Sequence, residues 1–303
     1  MEERLQQIAD EGYEFEFGTY FSEGWQLFKS GAGSFIGFTI VMFIISYAVS
    51  LIFSLITTPL YMGGLAAQDF DGDFSGLLTG LVVGMTVQNV VVTIVQWCLV
   101  GGIYMFCRNL LMKKEDFGTF FSGFKHIKEI ATFYFFWLLI FLPLMILLFT
   151  SIFPIDFLVA MATQDFQEMQ YAMEDFIATI AARLPLFFLI WLLVMAAYIL
   201  FSLTLAIIAD GGISAWKAMG ISRRIVAKKF LPFFGMYLVC GLILMGGMLV
   251  CFVGLLVAFP YVMCIQFTAY NRILTPEAAI GDGNQIDQFG ETDSDVNTES
   301  EES

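Results

Sequence analysis

Six stretches of this chain, 35–58, 84–107, 131–153, 185–208, 231–248 and 251–272, are long and almost free of charge. The single charged residue within them is Arg272, at the end of the last stretch. Roughly 20 consecutive apolar residues cross the hydrocarbon core of a bilayer. No soluble domain can hide so many such runs, so they predict an all-α integral membrane protein with six transmembrane helices. Composition agrees: 14% of residues are charged, against about 25% in soluble domains, and mean hydropathy is +0.79. Nothing near the start reads as a cleaved signal peptide, because the first 34 residues are acidic and the apolar runs begin at Phe35.

The last two stretches are the hardest to separate. Gly246 and Gly247 are the expected turn between them, since glycine accepts left-handed backbone angles, and Pro260 is expected to kink the sixth helix. Orientation follows from the cations. All Lys and Arg except Arg183 fall before the first span, between the second and third, between the fourth and fifth, or at the close of the sixth. By the positive-inside rule these connections face the cytoplasm, which places both termini there and the protein in the cell's plasma or inner membrane. The opposite loops are acidic, with Asp69, Asp71 and Asp73 in the first and Asp156, Asp165, Glu168, Glu174 and Asp175 in the second. In the second, Phe157, Met161, Met173, Phe176 and Ile180 recur at helical spacing and predict a helix lying on the outer surface.

An internal echo divides the chain further. Phe17-Gly18-Thr19-Tyr20-Phe21-Ser22 returns 100 residues later as Phe117-Gly118-Thr119-Phe120-Phe121-Ser122. In each copy aromatic residues fall on one helical face, and each leads into an odd-numbered span. A third segment, 213–230, holds the corresponding place before span five. The expected architecture is therefore three hairpins, each preceded by an amphipathic helix at the cytoplasmic interface, where rings sit at the acyl boundary and cations near headgroups. Lys217, Arg223, Arg224, Lys228 and Lys229 are the candidate contacts to anionic lipid headgroups. The domain reading is an acidic N-terminal segment 1–16, a membrane domain 17–274, and an acidic tail 275–303. That tail, too polar to bury a core, is expected to be disordered.

Residues that could carry chemistry are few. His126 is the only histidine, which excludes multi-histidine metal chemistry, and it reads as a solvated loop residue. Ser-His-Asp catalysis would have to use it too. No Walker, Rossmann or nucleophile-elbow glycine pattern occurs, so no cofactor is implied. The five cysteines lie in apolar stretches without a CxxC pair and read as small hydrophobes. Asp69-Phe70-Asp71-Gly72-Asp73 begins like a calcium loop but has Phe74 at the sixth position and Gly80 at the twelfth, which excludes an EF-hand. No Asp, Glu or Lys lies inside a span, which argues against a proton-coupled carrier.

Polar residues do remain within the spans. Gln88, Asn89 and Gln96 form a stripe in span two, where Gly76, Gly80, Gly84, Gln88 and Gln96 recur at multiples of four. Ser46, Ser50 and Ser54 make a matching row in span one, and Gln266, Tyr270 and Asn271 lie near the end of span six. Small residues at such spacing allow close helix packing with hydrogen bonds across the contact. The same pattern suits a polar cavity or a seam between two copies of the chain.

The segment from Ala215 to Tyr270 resembles a group of bacterial six-span inner-membrane proteins similar to the membrane domain of some glycerophosphodiester phosphodiesterases. Ala215-Trp216-Lys217-Ala218, Ser222-Arg223, Gly254, Pro260 and Ala269-Tyr270 carry the resemblance. It implies a bacterial inner-membrane protein; the phosphodiesterase domain is absent, so that reaction is not implied. The leading expectation is a non-enzymatic protein that organises the membrane or supports a complex, with lipids and a membrane or cytoplasmic protein as partners. The rivals are a channel or carrier for a small or amphiphilic solute, and a lipid-headgroup-modifying enzyme using Asp210 or Glu129. No nucleic-acid partner is expected.

Overall fold

The computed structural model describes residues 5–67 (apart from 7, 9 and 11), 75–153, 166–250 and 253–274, and every regular element among them is helical. In chain order these are α1 (Phe17–Ser30), α2 (Ala32–Ala67), α3 (Ser75–Leu111), a 3₁₀ helix (Phe117–His126), α4 (Ile127–Ile152), α5 (Phe166–Leu200), α6 (Thr204–Gly211), α7 (Ala215–Lys228), α8 (Phe230–Leu249) and α9 (Leu255–Leu274). Five segments are long and apolar enough to cross a membrane: Ala32–Pro59, Thr86–Leu111, Phe117–Ile152, Ile180–Gly211 and Phe230–Leu249. The chain is an all-α membrane protein. α9 occupies the place of the sixth expected span. Twelve of its 20 residues are buried, because Gln266, Thr268 and their apolar neighbours face other helices rather than the outside.

Among the long helices, α2 packs on α3, α4 on α5, and α8 on α9. Each short segment packs on a helix from a different pair: α1 on α9, the 3₁₀ helix on α3, and α7 on α6 and on both α4 and α5. Small residues permit these contacts. A Cβ on Gly24 of α1 would stand 3.0 Å from the Ile265 backbone. Gly123 of the 3₁₀ helix and Gly102 of α3 interlock so tightly that a Cβ on Gly102 would overlap the Phe120 carbonyl oxygen.

Four expectations are corrected in detail. The second copy of the hexamer winds as a 3₁₀ helix, whereas the first is α-helical. Residues three apart eclipse in a 3₁₀ helix. Phe120 is thereby driven inward and stacks between Phe38 and Phe106, with centroids 4.1 and 4.0 Å away. Asp116 caps the segment, its carboxylate accepting from the Gly118 N–H at 2.9 Å. Second, Gly246 and Gly247 do not form the turn. α8 runs through both, Gly247 packs against Gly254 and Ala258, and the chain reverses after Leu249. Third, Met173, Phe176 and Ile180 belong to α5, which continues unbroken past Pro185, so no separate outer-surface helix exists among the described residues. The expected positions Phe157 and Met161, the acidic loop 69–73 and the tail 275–303 lie outside the described residues.

The fourth correction matters most. The expected span 185–208 is interrupted at Phe201–Leu203, between α5 and α6. Here Ser202 N–H donates to the Ile199 carbonyl and Thr204 N–H to the Phe201 carbonyl, each three residues back rather than four. That tightening leaves the Leu200 carbonyl and the Leu203 N–H without helical partners. Ser222 of α7 answers both: its hydroxyl donates to Leu200 O at 2.9 Å and accepts from Leu203 N at 3.3 Å. Irregular backbone persists at membrane depth only where protein satisfies it or it lines a cavity. Both conditions hold here.

Candidate functional site

A half-open cavity of about 430 Å³ is lined from α2, α3, α4, α5, the 201–203 break, α6, α8 and α9. Met42 and Phe43 of α2, Trp97 and Val100 of α3, and Phe133 and Trp137 of α4 form one apolar wall. Leu255, Phe259 and Met263 of α9 form another, and Phe201, Ser202 and Leu205 bring the helix break to the edge of the space. The polar lining is uncharged: Gln96, Tyr104, Tyr198, Ser202, Tyr237 and Gln266. Tyr104 donates to Gln266 Oε1 at 2.9 Å, joining α3 to α9 across the floor. Ser202 Oγ is buried without a hydrogen bond of its own, although the Tyr237 hydroxyl stands near it.

The expected stripe is divided by this arrangement. Gln96 lines the cavity and donates to Ser46 Oγ at 3.3 Å, while Gln88 donates to the Ser50 carbonyl at 3.5 Å. The serine row of α2 and the glutamine row of α3 therefore meet as a packed seam that widens into the cavity at Gln96. Asn89 points to the exposed side of α3 and Ser54 is exposed on α2, so neither joins the site. The packing of Gly76 and Gly80 lies outside what is described. Tyr104, Tyr198, Ser202 and Tyr237 escaped the sequence reading. The available signal was three tyrosines set within apolar runs rather than at their ends, where membrane-interface aromatics belong.

The basic candidates form a separate surface. Lys217, Arg223, Arg224, Lys228 and Lys229 are all exposed along and just after α7. Two of them are engaged by the chain's own N-terminal segment: Arg224 lies 3.8 Å from the Asp10 carboxylate, and Lys228 donates to the Asp10 carbonyl at 2.6 Å. Tyr13 donates to the Ile225 carbonyl at 3.0 Å, Leu5 is 1% exposed, and Phe15 packs edge-on to Tyr20 and Phe233. Burial, and then the neighbouring Tyr20, raise the Tyr13 hydroxyl above its ordinary pKa. Asp10 and Tyr13 thus fasten the N-terminal segment to α7, which its acidic composition alone concealed.

Both carboxylates considered for catalysis are committed to structure. Asp210, at the end of α6, pairs with Arg108 and accepts from the Tyr270 hydroxyl at 3.1 Å. Glu129 accepts from the Ala215 N–H at 2.9 Å, which caps the start of α7. A third carboxylate, Glu23, is buried against the Arg272 guanidinium, which also lies 3.8 Å from Glu16. His126 is half-buried beside Gly212, whose φ of +58° lets the chain turn from α6 into α7. None of these groups lines the cavity. The cavity can hold and orient an uncharged molecule by aromatic contact and hydrogen bonding, but it contains no paired nucleophile and base. Comparison of the chain with family models, with curated proteins and with solved structures returned no match.

Proposed function

We propose that this protein is a membrane-embedded carrier that takes an amphiphilic solute into its half-open cavity. The observation that carries this reading is a space of about 430 Å³ reaching Gln96, aromatic on its walls and polar on its floor, at a break in a membrane helix. Ligand sites are typically concave, mostly apolar spaces of 300–1,000 Å³ with a few placed polar groups. Unwound helix segments beside a cavity are a recurring device of transporters. Two lining residues also reach the outer surface, Phe43 at 50% exposure and Tyr198 at 44%. In a bilayer that surface is acyl chain, so a solute enters sideways from lipid.

The finer architecture belongs to the same proposal. α9 acts as a sixth span, and α2–α3, α4–α5/α6 and α8–α9 are three hairpins with both termini in the cytoplasm of a cell whose plasma or inner membrane holds the protein. Each short segment then rests on another hairpin, closing a ring of three units around the cavity. The exposed cations of α7 meet anionic headgroups on the inner leaflet.

The test is native mass spectrometry of the full chain released from lipid nanodiscs, beside a variant with the cavity filled, Val100→Trp. The expected result is a bound amphiphile on the wild type and its loss from the variant, with thermal unfolding of the variant checked in parallel. A second filling variant, Leu205→Trp, serves if the first does not fold. A cavity that takes up no amphiphile in either form overturns the carrier reading and leaves a membrane-organising role.

A further inference from the structure

We infer that the occupant of the cavity is an uncharged amphiphile whose head offers carbonyl-type hydrogen-bond acceptors, the chemistry shared by membrane quinones and neutral acylglycerols. The inference rests on the carrier reading and adds the class of ligand.

Charge is the first constraint. The lining contains no Asp, Glu, Lys, Arg or His. The closest ionic groups along the same helices are already paired, Arg108 with Asp210 and Arg272 with Glu23. A phosphate, carboxylate or ammonium brought into this space would lose its hydration without gaining a counter-ion. Such a transfer is strongly unfavourable. A neutral head escapes that cost.

Hydrogen-bond capacity is the second constraint. Gln96 Nε2 is spent on Ser46 and the Tyr104 hydroxyl on Gln266 Oε1. With its oxygen accepting from Tyr104, the Gln266 amide presents Nε2 as a donor. Gln266 is 8% exposed, and no protein group among the described residues accepts from that nitrogen. Tyr198, Ser202 and Tyr237 add three hydroxyls to the same lining, with the Tyr237 hydroxyl directed at Ser202 beside the helix break. The Gln266 amide donor, left without a protein acceptor, is worth a normal hydrogen bond once an acceptor arrives. The cavity therefore presents donors and asks for a ligand that accepts. A carbonyl does so; an alcohol meets the demand less well, because its own proton then needs Gln96 Oε1.

Shape is the third. Trp97 stands edge-on to Trp137, 5.7 Å between centroids at 86°, and lies against Phe133 at 4.9 Å. Trp137, Phe133, Phe201 and Phe259 surround the space with faces and edges that favour a flat ring. The exposed side of Phe43 leaves a path for a hydrocarbon tail. Between the two sources of the carbonyl chemistry, the aromatic walls fit a quinone ring better than a glycerol ester.

The full-length protein in nanodiscs is titrated with a short-tailed isoprenyl benzoquinone, a short-chain diacylglycerol, and a fatty acid and an alkylammonium of matching length at pH 8. Binding is read by native mass spectrometry. The expected result is saturable binding of the quinone, the diacylglycerol or both, with neither charged probe binding within tenfold of them. Quinone without diacylglycerol identifies the ring as the recognised feature, and the reverse identifies the ester. Tyr198→Phe removes one hydroxyl from the lining and should leave thermal unfolding unchanged while weakening binding several-fold. Gln266→Leu should weaken it about tenfold, the equivalent of one buried hydrogen bond. Charged probes binding as well as neutral ones overturn this inference and leave the carrier reading standing. Full affinity in both folded variants also overturns it. No binding of any amphiphile overturns both.

Discussion

Ser222 performs with one hydroxyl what an uninterrupted helix performs with one backbone bond. At the 201–203 break the Leu200 carbonyl and Leu203 N–H both turn to it. Ser222→Ala therefore leaves a donor and an acceptor unpaired. The expected loss is about 1–3 kcal/mol of stability, read as a lower unfolding temperature, with Ser222→Thr retaining most of it. The glycines divide by the same local reasoning. Gly102→Ala drives a methyl into the Phe120 carbonyl, where backbone on both sides cannot yield, and should cost about 1–3 kcal/mol by overpacking. Gly246 meets nothing within 4 Å, so Gly246→Ala in the same assay should be neutral or slightly stabilising. Both are helical glycines in apolar runs; only their neighbours distinguish them.

At the scale of elements, the three short segments hold corresponding places in the chain, two of them sharing the hexamer, yet are held in different ways. α1 is pinned by the Glu23–Arg272 pair to the end of α9. Removing one partner leaves the other charge buried, so Arg272→Met should destabilise by about 3–5 kcal/mol, and the double variant Arg272→Met with Glu23→Leu should recover most of that. Thermal unfolding of the two variants side by side decides it. α7 is held by the Ser222 contact, by the Glu129 cap and by the N-terminal segment. That segment carries its own pH dependence. Tyr13 has a raised pKa in the folded chain, so its neutral form is the one that docks. Its contribution is whole below the ordinary tyrosine pKa near 10 and is lost as pH rises above that value. Thermal stability of the wild type should therefore begin to fall above pH ~10 relative to Tyr13→Phe, which already lacks the hydrogen bond, so that the stability difference between the two shrinks as pH rises toward the raised tyrosine pKa.

For the whole molecule, seven of the described helices contribute to the cavity lining, while the Arg108–Asp210 pair joins α3 to α6 and the Arg272–Glu23 pair joins α9 to α1, both away from that lining. The orientation proposed from the basic connections makes a direct prediction. A single-cysteine variant at Ser300 should stay unlabelled by an impermeant thiol reagent in intact cells and react after permeabilisation; labelling of intact cells would reverse the topology.

Hydropathy alone specified the membrane class and predicted six spans, of which five segments of the structure meet the length and composition of a bilayer crossing, because a backbone without water must satisfy itself in helices whatever surrounds it. The hexamer echo likewise showed where two of the short segments begin. It could not show that the second would wind as 3₁₀, since that conformation is imposed by the approach of Gly123 to Gly102 and the burial of Phe120 between Phe38 and Phe106. The break at 201–203 was equally hidden: Phe201-Ser202-Leu203 has no proline or glycine, and the interruption exists only because Ser222, about 20 residues later, stands where it can complete the hydrogen bonding. Gln88 and Gln96 were visible as a stripe with Asn89, but the cavity that Gln96 borders is assembled from residues as distant as Met42 and Gln266. Sequence determined which parts of the chain leave water, since that depends on each residue's own transfer free energy. Tertiary structure decided which polar groups within the membrane are satisfied by protein and which remain free to bind, since that depends on which helices come within hydrogen-bonding distance.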